Sequence, residues 1–326
     1  MIKVDKSDIC RSFFRGENGV QFNPYKADYI NPNFLQEFVV KGWIPKTKLI
    51  NSSTNITAFG SCFVANIIRY LKKLNFKLTT DSSPEIYISR IGEGLANVYS
   101  LFQQFEWALE NKNIPHGLWY GANVEEYGID ENIRLKTKDA LLKSEVFIFT
   151  LGVSEIWEDI ETGNTFWRAI PEDKYDPEKH RFRVLSMNET KDTISKIYSI
   201  IKKHIPNSKV IFSVSPIPFA ATFRQVSCVT ASSAGKSILR ASLDEFIRDH
   251  DDLGKSLFYF PSFEIPPFLY DPYEDDGRHL REDNIKFVMK LFEVMYCDTN
   301  LTWEFVEDLF KKERNRSDRM AVKKLY

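Results

Sequence analysis

The chain has 326 residues, 43% hydrophobic and 27% charged, enough to bury one large core or two modest ones without staples. Its 44 Lys and Arg face 45 Asp and Glu, a formal charge of −1, so no overall field draws it to nucleic acid or an anionic membrane. Cys10, Cys62, Cys228 and Cys297 lie far apart with no CxxC spacing, which argues against a zinc knot or a disulfide framework.

The first residues, MIKVDKSDICRSFF, scatter charges where a signal peptide needs an unbroken apolar stretch, and no later run approaches membrane-spanning length. A cytoplasmic location is expected. Residues 1–50 combine turn formers with aromatics, as in Asn23-Pro24-Tyr25 and Gly42-Trp43-Ile44-Pro45, and read as an irregular leader packed on a domain. From 51 to 298, short apolar runs at 56–59, 146–151, 209–214 and 256–260 have the look of strands buried on both faces. Helical spacing of apolar residues marks 64–74, 95–109, 190–203, 233–248 and 281–295. Strand alternating with helix predicts an α/β fold, a mostly parallel sheet covered on both faces. Two connections, 111–134 and 158–187, are too long for linkers; with Trp119, Tyr120, Trp167 and Pro171 they are expected to form lids or substrate walls. The stretch 299–326 reads as a helix followed by a basic tail.

Three short motifs carry chemistry. Ile56 to Phe63 runs from a strand through Gly60-Ser61-Cys62 into a helix, which puts Ser61 and Cys62 at the C-terminal edge of the sheet. A helix N-terminus there favours both a thiolate and a developing oxyanion, and Gly60 permits the tight bend. Asp275-Asp276-Gly277-Arg278-His279 precedes the last helix of the domain, and its Asp-x-x-His spacing lets Asp276 orient His279 as a general base. Gly152-Val153-Ser154-Glu155, with Trp157 beyond it, leaves a predicted strand at the same edge. His116, His180, His204 and His250 stand apart and read as surface or capped histidines, so no metal site is expected. No phosphate-binding glycine loop occurs.

Gly60-Ser61-Cys62-Phe63-Val64 resembles the signature of the GSCFA family, with Val64 where Ala is usual; that family is placed among SGNH/GDSL-like hydrolases. Ser213 to Pro218, Ser237 to Arg240 and Tyr259 to Glu264 are similar to further blocks of it. The resemblance implies a three-layer α/β/α, flavodoxin-like fold and an acyl-ester hydrolase. Its register against Gly-Asp-Ser-Leu favours Cys62 as nucleophile, with Ser61 as the alternative, His279 as base and Asp276 as orienting carboxylate. It also implies that Gly60, Asn97, Gly152 and Ser154 shape or supply the oxyanion hole, Ser154 standing where the clan has Asn. Glu155 and Trp157 are expected at the substrate wall. An O-acylated carbohydrate is the expected substrate. An O-acyltransferase using an acyl-CoA donor and a non-catalytic carbohydrate-binding module are the alternatives, and no resident cofactor is expected.

Overall fold

The computed structural model describes residues 20–60, 62–79, 97–113, 130–167 and 170–315. Its strands are β1 (Asn55–Gly60), β2 (Lys77–Leu78), β3 (Val146–Leu151), β4 (Glu155–Asp159), β5 (His180–Val184), β6 (Lys209–Val214) and β7 (Leu257–Tyr259). Its α-helices are α1 (Cys62–Lys73), α2 (Val98–Glu110), α3 (Glu131–Leu142), α4 (Met187–His204), α5 (Cys228–Arg248), α6 (Glu282–Tyr296) and α7 (Trp303–Arg314).

Among the described residues, five strands pair in parallel in the order β2-β1-β3-β6-β7. The two-residue periodicity of a strand sorts their side chains into two cores. Phe59, Phe147, Phe149, Phe212 and Tyr259 face α2, α4 and α5. Ile56, Ala58, Ile148, Ile211 and Phe258 face α1, α6 and α7. On the first face Phe59 stacks on Phe149 at 5.3 Å and Phe149 on Phe212 at 5.1 Å, each pair directly in register across neighbouring strands. The fold is therefore the expected three-layer α/β/α sandwich.

The chain leaves β1 toward β2 at one edge and returns to β3 on the other side of β1, so the order reverses between β1 and β3. Open α/β sheets bind ligands at such a switch point, outside the carboxyl ends of the strands.

Within the connection 158–187, β5 pairs antiparallel with β4, Trp157 lying opposite Phe182. The connection 111–134 already contains the start of α3, whose N-cap Asp130 accepts from the backbone of Asn132 at 2.9 Å and Ile133 at 3.2 Å. That helix carries few apolar residues, so its periodicity is faint in the sequence. Trp119 and Tyr120 lie outside the described residues.

Phe34, Leu35, Val40 and Ile50 pack on the α1/α6 side together with α7. Phe34 stacks on Phe310 with centroids 5.2 Å apart, and the buried Glu307 carboxylate accepts from the backbone of Leu35 at 3.1 Å and Gln36 at 3.2 Å.

Candidate functional site

β1 ends at Gly60, whose φ of +138° lies outside the range that side chains tolerate. A Cβ there would strike the Thr150 carbonyl oxygen and hydroxyl, so the missing side chain lets β1 and β3 close up at their C-terminal ends. Cys62 opens α1, half-buried and in no disulfide. Ser61 lies outside the described residues.

The loop before α6 folds back as a turn. The Gly277 N–H donates to the Glu274 carbonyl at 2.9 Å, the Glu274 N–H donates to the His279 carbonyl at 2.7 Å, and Gly277 takes a φ of +69°. At its tip both Asp276 carboxylate oxygens are engaged: one accepts from the backbone of Arg278 at 2.9 Å and of His279 at 3.0 Å, the other from His279 Nδ1 at 2.5 Å. The Arg278 N–H, then the His279 ring and the His279 N–H, lower the Asp276 pKa to about 2. Bound at Nδ1, the half-exposed His279 ring has no other hydrogen-bond partner among the described residues, which leaves Nε2 for a proton acceptor's role. No hydrogen bond joins the Cys62 thiol to His279 among the described residues.

The third element is one that reading the sequence missed. Lys236, on α5, is only 4% exposed and donates from Nζ to the carbonyl oxygen of Gly152, just past β3, at 2.8 Å. Its ammonium also lies 5.7 Å from the centre of the Phe219 ring. Burial above all, then the Arg278 charge, pushes its pKa down to about 7, while the charge of Cys62 acts to raise it. Lys236 thus lies within electrostatic reach of both the turn at Cys62 and the loop at Arg278. A signal was present: Ser232, Lys236, Leu239 and Leu243 form one buried stripe of α5, and a lysine in such a stripe is out of place.

Lys236, Asp276 and Arg278 line a cavity of about 620 Å³, with Pro216, Phe219 and Phe263 among its apolar walls. Neither Cys62 nor His279 is part of that wall, so the cavity lies beside the acid–base loop.

The remaining expected residues are placed as follows. Gly152 is buried and holds Lys236 through its carbonyl. The Ser154 hydroxyl is buried without a hydrogen-bond partner among the described residues, beneath Gly235. Asn97 caps α2, its side-chain oxygen accepting from the Ser100 N–H at 2.8 Å. Glu155 is buried and accepts from the Thr222 hydroxyl at 2.7 Å, anchoring the stretch after β6. Trp157 sits among Tyr175, Phe182 and Phe223 on the face of the β4–β5 pair. Of the other histidines, His180 accepts from the Asp176 N–H, His204 meets Glu110 and His250 meets the Phe246 carbonyl. His116 lies outside the described residues. No helix among the described residues is long and apolar enough to cross a membrane.

Among solved structures, the chain is similar to a carbohydrate esterase family 3 protein from Talaromyces cellulolyticus at 12% identity, with 74% of this chain and 98% of that one covered and a TM-score of 0.37. It is also similar to a Clostridium thermocellum family 3 carbohydrate esterase at 11% identity, over 79% of this chain and 98% of that one, with a TM-score of 0.36. No curated protein matches. At these scores the fold assignment rests on the sheet order above. The sequence model of the GSCFA family matches residues 55–292, from the first strand through most of α6, and the chain belongs to that family.

Proposed function

We propose that this chain is an acyl-ester hydrolase acting through a covalent acyl intermediate on Cys62, with Ser61 as the alternative nucleophile. The observation that carries this reading is the Asp276–His279 pair, an imidazole fixed at Nδ1 by an ionised carboxylate and open at Nε2. His279 Nε2 takes the thiol proton as sulfur bonds to the ester carbonyl carbon. The tetrahedral oxyanion then collapses, and the leaving alcohol oxygen takes that proton from His279. Water, deprotonated by the same nitrogen, adds to the thioester carbonyl; the C–S bond then breaks, the Cys62 sulfur takes the proton back from His279, and the acid is freed. Backbone N–H groups at the start of α1 face the oxyanion, with Asn97 and Ser154 as proposed helpers; one such donor is typically worth ~2.7–4 kcal/mol of the barrier.

The thiol comes from the C-terminal end of β1 and the imidazole from the loop before α6, and in the proposed reaction both meet at the bound ester. Nucleophile–base hydrogen bonds in empty sites are often long and tighten with substrate. An O-acylated carbohydrate is the proposed substrate, with the aromatic group around Trp157 as a sugar-stacking face. Transfer to a sugar hydroxyl from an acyl-CoA donor is the alternative outcome of the same intermediate.

The test is p-nitrophenyl acetate hydrolysis by the wild type and His279→Gln. The reading expects turnover in the first and a fall of ~10²–10⁴-fold in the second; equal rates would remove His279 from the reaction.

A further inference from the structure

Resting on the hydrolase reading, we propose that the cavity beside the Asp276–His279 loop is an anion subsite, in which Lys236 and Arg278 hold a carboxylate or phosphate group of the substrate. The substrate class is then an ester that carries an oxyanion a few atoms from the bond that breaks.

Lys236 has three N–H donors, and among the described residues one acceptor, the Gly152 carbonyl, takes one of them. No carboxylate lies within ion-pair distance of Lys236 or Arg278 among the described residues. The Arg278 side chain donates from Nε to the Pro218 carbonyl at 3.4 Å, a weak contact that leaves the rest of the guanidinium fork unused. The one carboxylate on the cavity wall, Asp276, spends both oxygens on Arg278 and His279 backbone N–H groups and the His279 ring. Two cations therefore line a pocket in which neither makes an ion pair among the described residues. Burying an ammonium without an anion is costly, and an oxyanion from a ligand removes that cost.

The walls add shape. Pro216, Phe219 and Phe263 are apolar, so the cavity accepts an apolar spacer with a charged end, and about 620 Å³ suits a small organic acid rather than a polymer. The titratable and charged groups facing Lys236 are Cys62 on α1, Cys228 on α5, and Tyr273, Asp276 and Arg278 on the loop before α6. With the Lys236 pKa at about 7, an anion favours the protonated amine, and its binding draws a proton from solvent onto Lys236.

Calorimetric titration of the full chain with succinate, inorganic phosphate and glucose, at pH 6.5 and 8.5, tests this. Succinate or phosphate binds, and which of them does identifies the oxyanion; glucose does not. Binding weakens by about tenfold or more from pH 6.5 to 8.5, and by about tenfold in Lys236→Met and in Arg278→Gln. No binding of either anion, or equal binding by wild type and both variants, overturns the subsite. The two readings separate cleanly: anion binding without p-nitrophenyl acetate hydrolysis sinks the hydrolase alone, and hydrolysis without anion binding sinks the subsite alone.

Discussion

The Lys236 ammonium and the Gly152 carbonyl oxygen, 2.8 Å apart, join the middle of α5 to the exit of β3 at the switch point of the sheet. The burial of Lys236 sets a pH dependence of stability. In the folded chain Lys236 titrates near 7, whereas unfolded it returns to 10.5. A lowered lysine pKa means that the unfolded state binds the extra proton between those values, so stability rises with pH across that window. Below 7 the burial penalty is present in full; above 10.5 it is gone. Relative to Lys236→Met, the wild type gains stability from pH 7 to 10, up to about 4 kcal/mol. Urea denaturation of both proteins at several pH values measures it, and parallel curves would contradict it.

The hydrogen-bonded Asp276 carboxylate predicts a different pH range. Its lowered pKa, about 2, means that its contribution is complete above the ordinary aspartate value and is lost as pH falls from there through 2. Carbon-detected NMR titration of the Asp276 side chain should show it ionised at pH 3.

Asp276→Asn keeps the shape but loses the charge that fixes the His279 tautomer. The expected outcome in steady-state kinetics is a fall in kcat of ~10²–10⁴-fold with KM nearly unchanged.

Gly60→Ala tests the close approach of β1 and β3. Its Cβ would collide with Thr150 backbone and side chain at a φ of +138°, so the variant should lose ~2–4 kcal/mol. Thermal unfolding reads the loss; a wild-type Tm would show that the turn adapts.

Ser154→Ala separates chemistry from packing. Among the described residues its hydroxyl has no partner to lose, so the Tm should not fall, while kcat drops ~10²–10³-fold if that hydroxyl serves the oxyanion. An unchanged kcat would leave the oxyanion to the backbone N–H groups of α1.

The sheet was legible because its strands are buried on both faces and read as unbroken apolar runs, as in 146–151 and 209–214. β2 is two residues long, and β4 and β5 carry Glu158, Arg181 and Arg183 in one charged cluster, so their strand character is hidden by charge. Asp276 and His279 were legible because a three-residue spacing on a tight loop brings the two together by local geometry. Lys236 was not. Its contact with Gly152 spans 84 residues of chain, and nothing local to α5 says which carbonyl a buried lysine will meet.

Intact-mass spectrometry after brief exposure to p-nitrophenyl acetate and an acid quench tests the central claim most directly. The account predicts an adduct of ~42 Da, one acetyl group, on the wild type and its loss in Cys62→Ala. No adduct on the wild type, or an adduct that survives Cys62→Ala, contradicts it.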